Sequence, residues 1–212
     1  MTFRVFAVVV LLASSLMAQN DNASQSAAQT NGPVFSFHSR GTLADFFSFQ
    51  NGTDISFSVN RNGEAGQQAA TFLNFSTFTF NQNGFTDIFG FGQVPNEALH
   101  GGGDKHVSLS VDTSQVSSFQ TITCTFDFIN FISSCQPGPF GLVQIDWEQD
   151  GNSTLHQVSE TRQTFFQFTI HSQLNSESAS APANGSILGI PVSNGFGNVG
   201  VHHNSTVEIF KN

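Results

Sequence analysis

The run Val143-Gln144-Ile145-Asp146-Trp147-Glu148 carries the densest chemistry in the sequence. On an extended strand, successive side chains point to opposite faces. Val143, Ile145 and Trp147 then share one face, and Gln144, Asp146 and Glu148 share the other. Two carboxylates repeating along one polar face can act as an acid–base pair, one holding a proton and the other charged. Farther along, Asp146, Glu148, Asp150, Gly151 and Asn152 follow the opening of an oxygen-rich cation loop. Its twelfth position is Gln157, where a bidentate Glu would close the coordination. Asp150-Gly151 is then better read as a hairpin turn.

The alternation from Gln144 to Glu148 resembles the Glu-x-Asp-x-Glu strand of laminarinase-type retaining glycosidases. In that family the first Glu is the nucleophile, the Asp supports it and the last Glu is the acid/base. The resemblance implies a supporting role for Asp146 and an acid/base role for Glu148. It departs from the family at Gln144, because an amide cannot form the glycosyl-enzyme ester.

Imidazoles offer a second chemistry. His100 and His106 flank Asp104 in the glycine-rich run His100-Gly-Gly-Gly-Asp104-Lys-His106, a loose polar loop. A zinc site needs three or four convergent ligands with oriented partners, and three glycines do not preorganise such a cage. His202-His203 are adjacent and would face opposite sides of a strand. There is no G-x-S-x-G elbow, P-loop or dinucleotide glycine motif, so the sequence implies no cofactor. Cys124 and Cys135 are the only cysteines. In an exported chain they are expected to form a disulfide.

The elements that would position these groups are strands. Alternation with period two marks Ile55/Phe57/Val59, Val107/Leu109/Val111, Ile122/Cys124/Phe126/Phe128 and Phe166/Phe168/Ile170 as apolar faces. Residues 72–80 break the pattern, with Phe72, Phe78 and Phe80 in one phase and Leu73 and Phe75 in the other. Burial of both faces or a bulge would explain it. Asn-Gly or Asp-Gly pairs at 51, 62, 83, 150, 184 and 194 suit hairpin turns. About ten strands are expected: 34–39, 43–50, 54–60, 69–80, 85–91, 106–112, 119–130, 140–149, 153–171 broken near Glu160, and 198–210. A further strand falls within 177–190, and Pro95–Leu99 suits one helical turn. The fold class is all-β, an antiparallel β-sandwich of jelly-roll type, with a closed β-barrel as the alternative.

Residues 1–18 read as a signal peptide: Arg4, the apolar run Val5–Leu12, then small residues to Ala18. Residues 19–32 read as a disordered polar leader, and 33–212 as a single β domain. Such a protein is secreted or periplasmic. No later stretch is long and apolar enough for a transmembrane helix. The formal net charge is −9, with 25 Phe and no Tyr. An acidic surface argues against nucleic acid. The leading expectation is a non-catalytic extracellular or periplasmic module for binding, adhesion or assembly, with a polysaccharide or protein as its ligand. The alternatives are a secreted glycan-active hydrolase using Asp146 and Glu148, and an outer-membrane β-barrel.

Overall fold

Alternating Ser/Thr and apolar residues leave the chain little choice but extended strands, since β-branched and aromatic side chains fit a pleated surface. The computed structural model describes residues 33, 35–64, 67–101, 106–149 and 154–211. The expected signal peptide, the polar leader, Asp104 and Asp150 lie outside the described residues.

The strands are β1 (Phe35–Gln50), β2 (Thr53–Glu64), β3 (Ala70–Asn81), β4 (Gly84–Val94), β5 (Leu99–His100), β6 (His106–Asp112) and β7 (Phe119–Asp127). They continue as β8 (Ile132–Pro137), β9 (Leu142–Glu148), β10 (Thr154–Thr164), β11 (Phe168–Ser180), β12 (Ala183–Ile187) and β13 (Ile190–Lys211). The helical turn expected after Pro95 is a 3-10 turn at Asn96–Ala98.

All pairings between these strands are antiparallel. The larger sheet runs β8-β7-β4-β3-β2-β1-β13-β11-β10, and the smaller runs β5-β6-β9-β12-β13. Strand β13 belongs to both. Its start pairs β12, and from Phe196 onward it pairs β1. Asn194, at φ 49°, marks the change of partner. Gly197 is required here, because a Cβ would sit 2.5 Å from Ala181 O. The order has free ends at β5, β8 and β10 among the described residues, so the sheets stack as a sandwich rather than close as a barrel.

The core lies between the sheets. Phe46, Ile55, Phe57, Val59, Leu73 and Phe75 face it from the larger sheet. Val107, Leu109, Val143, Ile145, Trp147 and Ile187 face it from the smaller. Trp147 is fully buried, 6.1 Å from the ring of Phe46 and 5.7 Å from Phe57. Its indole N–H donates to the Asp45 carbonyl at 3.0 Å. Both polar and apolar needs of the indole are met, which is what a buried Trp requires.

Several expectations shift. The segments 34–39 and 43–50 are one strand, β1, with a register irregularity between Ser39 and Gly41. The run 153–171 breaks at 165–167, not at Glu160. The β12–β13 turn uses Leu188 and Gly189, both at positive φ, rather than Asn184-Gly185. Strand β3 has no bulge and a single buried face. Leu73 and Phe75 point inward, while Phe72 and Phe80 are exposed outside. The apolar side of β7 is inverted too, with Phe119 and Thr121 buried and Ile122, Cys124 and Phe126 on the outer side. In β11 it is Thr169 that is buried, while Phe166 in the preceding turn and Phe168 are exposed. The expected disulfide joins Cys124 to Cys135, directly opposite each other on β7 and β8.

Candidate functional site

Strands β5, β6, β9 and β12 place the sequence-derived candidates on the outer face of the smaller sheet. The register sets His106 opposite Glu148, Ser108 opposite Asp146, and Ser110 opposite Gln144. Asn184 stands beside Asp146 on the other side, and His100 beside Ser108. A polar row His100–Ser108–Asp146–Asn184 therefore crosses four strands. His106 Nε2 lies 3.4 Å from Asp146 Oδ1, with both side chains about 60% exposed (60% and 62%). Gln144 Nε2 reaches Ser110 Oγ at 3.4 Å. Glu148 joins this face at its edge, next to His106. Thus the structure brings together His100, His106, Asp146 and Glu148, on an open sheet face in water. Such a face hydrogen-bonds well. It does not exclude water from a reacting bond, as a closed cleft does.

A second constellation, absent from the sequence reading, lies on β10, β11 and β13. His171 Nε2 sits 2.7 Å from Glu160 Oε1, and its Nδ1 sits 3.5 Å from Glu208 Oε2. Glu177 Oε2 lies 3.9 Å from His156 and 3.7 Å from His203. The hydrogen bond and charge of His171 hold the Glu160 carboxyl below its usual value. Both ring nitrogens of His171 face carboxylates on opposite sides, so the group forms a ladder and does not converge on a metal. Among the described residues no cluster of three or more His, Cys, Asp or Glu is arranged to hold a metal ion. Alternating polar residues in β10 and β11 were visible in the sequence. Their meeting depends on the register across three strands, including a bulge of β13 at His203.

The third feature is aromatic. Strand order places the β1–β2, β3–β4 and β7–β8 hairpin turns at one end of the larger sheet. Phe80 N–H donates to Gly52 O at 3.3 Å, and Phe128 N–H to Asn83 O at 2.7 Å, linking the turns. On the outer face beneath them Phe78, Phe80, Phe85, Phe126 and Phe128 form one chain of ring contacts, with centroids 4.6–6.3 Å apart. Phe80 is 56% exposed and Phe131, in the last turn, 80%. Phe89 and Phe91 extend the exposed rings down β4. Among the described residues only Phe46, Phe57, Phe75 and Phe119 are buried phenylalanines. Asp87 sits within the aromatic face, held by Ser76 Oγ at 2.8 Å. Burial pushes its carboxyl up, and the Ser76 hydrogen bond only partly opposes this. No Lys or Arg occurs between Arg61 and Lys105, or between Lys105 and Arg162.

No known protein family, curated protein or solved structure matches the chain.

Two shallow hollows flank Gln68, one lined by Gln93, Asn96 and Glu97, the other by Phe37, Asn62 and Phe72. Neither includes any of the carboxylates Asp146, Glu148, Glu160 or Glu177.

Proposed function

We propose that the protein is a non-catalytic extracellular binding module, and that its contact surface is the phenylalanine face of the larger sheet. The exposed ring chain is the observation that carries this reading. A core built from both sheets already buries Phe46, Phe57 and Trp147, so the outer rings are not needed to complete it. Contiguous exposed apolar surface in a folded protein marks a site of contact. The strands that carry it, β3, β4, β7 and β8, contain no Lys or Arg to attract phosphate, so the contact is apolar with hydrogen bonding at its margin. The apolar N-terminal run and the Cys124–Cys135 bridge fit an exported protein.

A glycan-active hydrolase is the second reading, favoured by the shared face of Asp146, Glu148 and His106. One experiment separates the two. The full protein is incubated with particulate cellulose, chitin, β-glucan and phosphatidylcholine vesicles, and both retention and released sugar are measured. Retention on at least one of these, lost in Phe80→Ser and Phe91→Ser variants of unchanged fold, is the expected result. Retention unaffected by both substitutions would count against the aromatic face. Sugar release that Asp146→Asn and Glu148→Gln each abolish would replace it with the hydrolase.

A further inference from the structure

Among the described residues three strands end the ladders of this fold, and they are not alike. Strand β5 has two residues, too few to template a partner. Strand β8 has six, ends on Pro137, and is bonded covalently to β7 through Cys135. Strand β10 has eleven, Thr154–Thr164, with no Pro, Gly or Lys. It pairs β11 through eleven consecutive residues without a register shift. None of its residues is buried, and Val158 is 80% exposed. A long regular edge presents rows of N–H and C=O groups that invite another strand, and natural proteins shorten, bend or charge such edges to prevent it. Among the described residues the short edges are blunted, and no strand pairs the outer side of the long one.

We propose that β10 pairs with the β10 of a second copy of this chain, antiparallel about a two-fold axis at Thr161, so that the larger sheet runs continuously through a dimer. Charge sets the register. In a symmetric antiparallel pair of this kind one residue faces its own copy, and its neighbours face each other reciprocally. With Thr161 at the centre, Glu160 faces the second copy's Arg162 and Arg162 faces the second copy's Glu160. Ser159 then faces Gln163, and Val158 faces Thr164. Centring on Glu160 or Arg162 instead sets like charges directly opposite, which is destabilising. Centring on Ser159 leaves Glu160 against Val158 and brings Arg162 against His156. Of these, only the Thr161 register sets opposite charges against each other twice. Glu160 and Arg162 lie on the His171 side of the strand, since Arg162 is opposite His171. Glu160 already contacts His171 on β11, the inner neighbour, so the second copy's Arg162 would approach the same sheet face from the free side. This pairing uses an edge remote in sequence from the phenylalanine face and does not depend on the function proposed for that face.

Sedimentation of the full chain at micromolar to submillimolar concentration tests it. The expected result is a reversible dimer. Arg162→Glu should weaken it by about tenfold or more, because it sets two like-charge pairs across the axis. The double exchange Glu160→Arg with Arg162→Glu should restore it. Both positions are exposed, and the far-ultraviolet spectrum and melting temperature report whether each variant folds. Under oxidation Thr161→Cys should give a covalent dimer and Gln157→Cys should not. The native cysteines are already joined and leave no free thiol. A monomer throughout the concentration range would overturn the proposal. So would a dimer indifferent to both charge variants, or one lost instead in Phe80→Ser, which would put the contact on the aromatic face. Cross-linking at Gln157 rather than Thr161 would also overturn it.

Discussion

Asp87 is the residue whose surroundings fit it least. It lies on the outer face of β4, buried among phenylalanines, with the Ser76 hydroxyl as its hydrogen-bond donor. Because burial raises its folded pKa above the ordinary value of 3.8, the native state holds a proton that the unfolded chain releases. Stability therefore falls as pH rises through that window, and at neutral pH the charged form is a net cost. Asp87→Asn keeps an acceptor for Ser76 and removes the charge. The variant should melt higher than wild type at pH 7, and the advantage should disappear near pH 3, where both chains are neutral at this position. Thermal melts at the two pH values check it. Nothing in the sequence singles out Asp87 from other acids. Its character comes from Phe78 across on β3 and Phe85 and Phe89 along β4, a neighbourhood that only the strand register creates.

At the scale of elements, β10, β11 and the end of β13 form the part of the larger sheet with the least core. Strand β10 buries nothing, and β11 buries only Thr169 and Ala179. Acid–imidazole contacts link these strands where burial does not. His202, half-buried where β13 bulges, is held below its usual value of 6.5, chiefly by desolvation and secondarily by the charge of His203. Protonating it favours the unfolded chain, so stability falls as pH drops below that value. Glu160 is held below 4.5 by His171. Its contribution is present above the unfolded value and is lost as pH falls through the lower folded one. Hydrogen exchange in β10 and β11 should therefore accelerate in two steps on acidification. His202→Gln should remove the upper step and Glu160→Gln the lower. Exchange that is uniform across the molecule at every pH would contradict a locally weakened region. That this stretch is extended was legible in the sequence, because alternation requires no tertiary knowledge, but the break expected near Glu160 falls at 165–167. Which face was covered was not legible. Val107, Leu109 and Val111 point inward as their pattern implies, whereas Ile122, Cys124 and Phe126 point outward and Thr121 lies inside. Alternation defines two faces, and only the position of the second sheet decides which is core.

For the whole molecule, Trp147 is the side chain on which both sheets meet. It stands on β9 of the smaller sheet, packs against Phe46 and Phe57 of the larger, and bonds to the backbone of β1. Trp147→Ala should cost about 3–5 kcal/mol, as expected for removing a fully buried large aromatic, read from denaturant unfolding. Trp147→Phe should cost less, since much of the packing is kept while the N–H contact to Asp45 and part of the indole's volume are lost. The inward direction of Trp147 was evident from its alternation with Asp146 and Glu148. Its partners were not, because Asp45 lies 102 positions away in sequence.

That separation is part of a wider pattern with a consequence for biogenesis. Strand β1, the first in the sheet, is hydrogen-bonded on one side to β13, the last, with Phe35 opposite Ile209. Among the described residues, β13 is the one strand that both sheets share. As the chain emerges from the ribosome, β1 to β4 can pair as hairpins, but the edge of β1 stays open until β13 is made. Closing a contact of that span is slow. The nascent chain therefore keeps one edge of β1 unpaired, and its two sheets unjoined, until β13 is available.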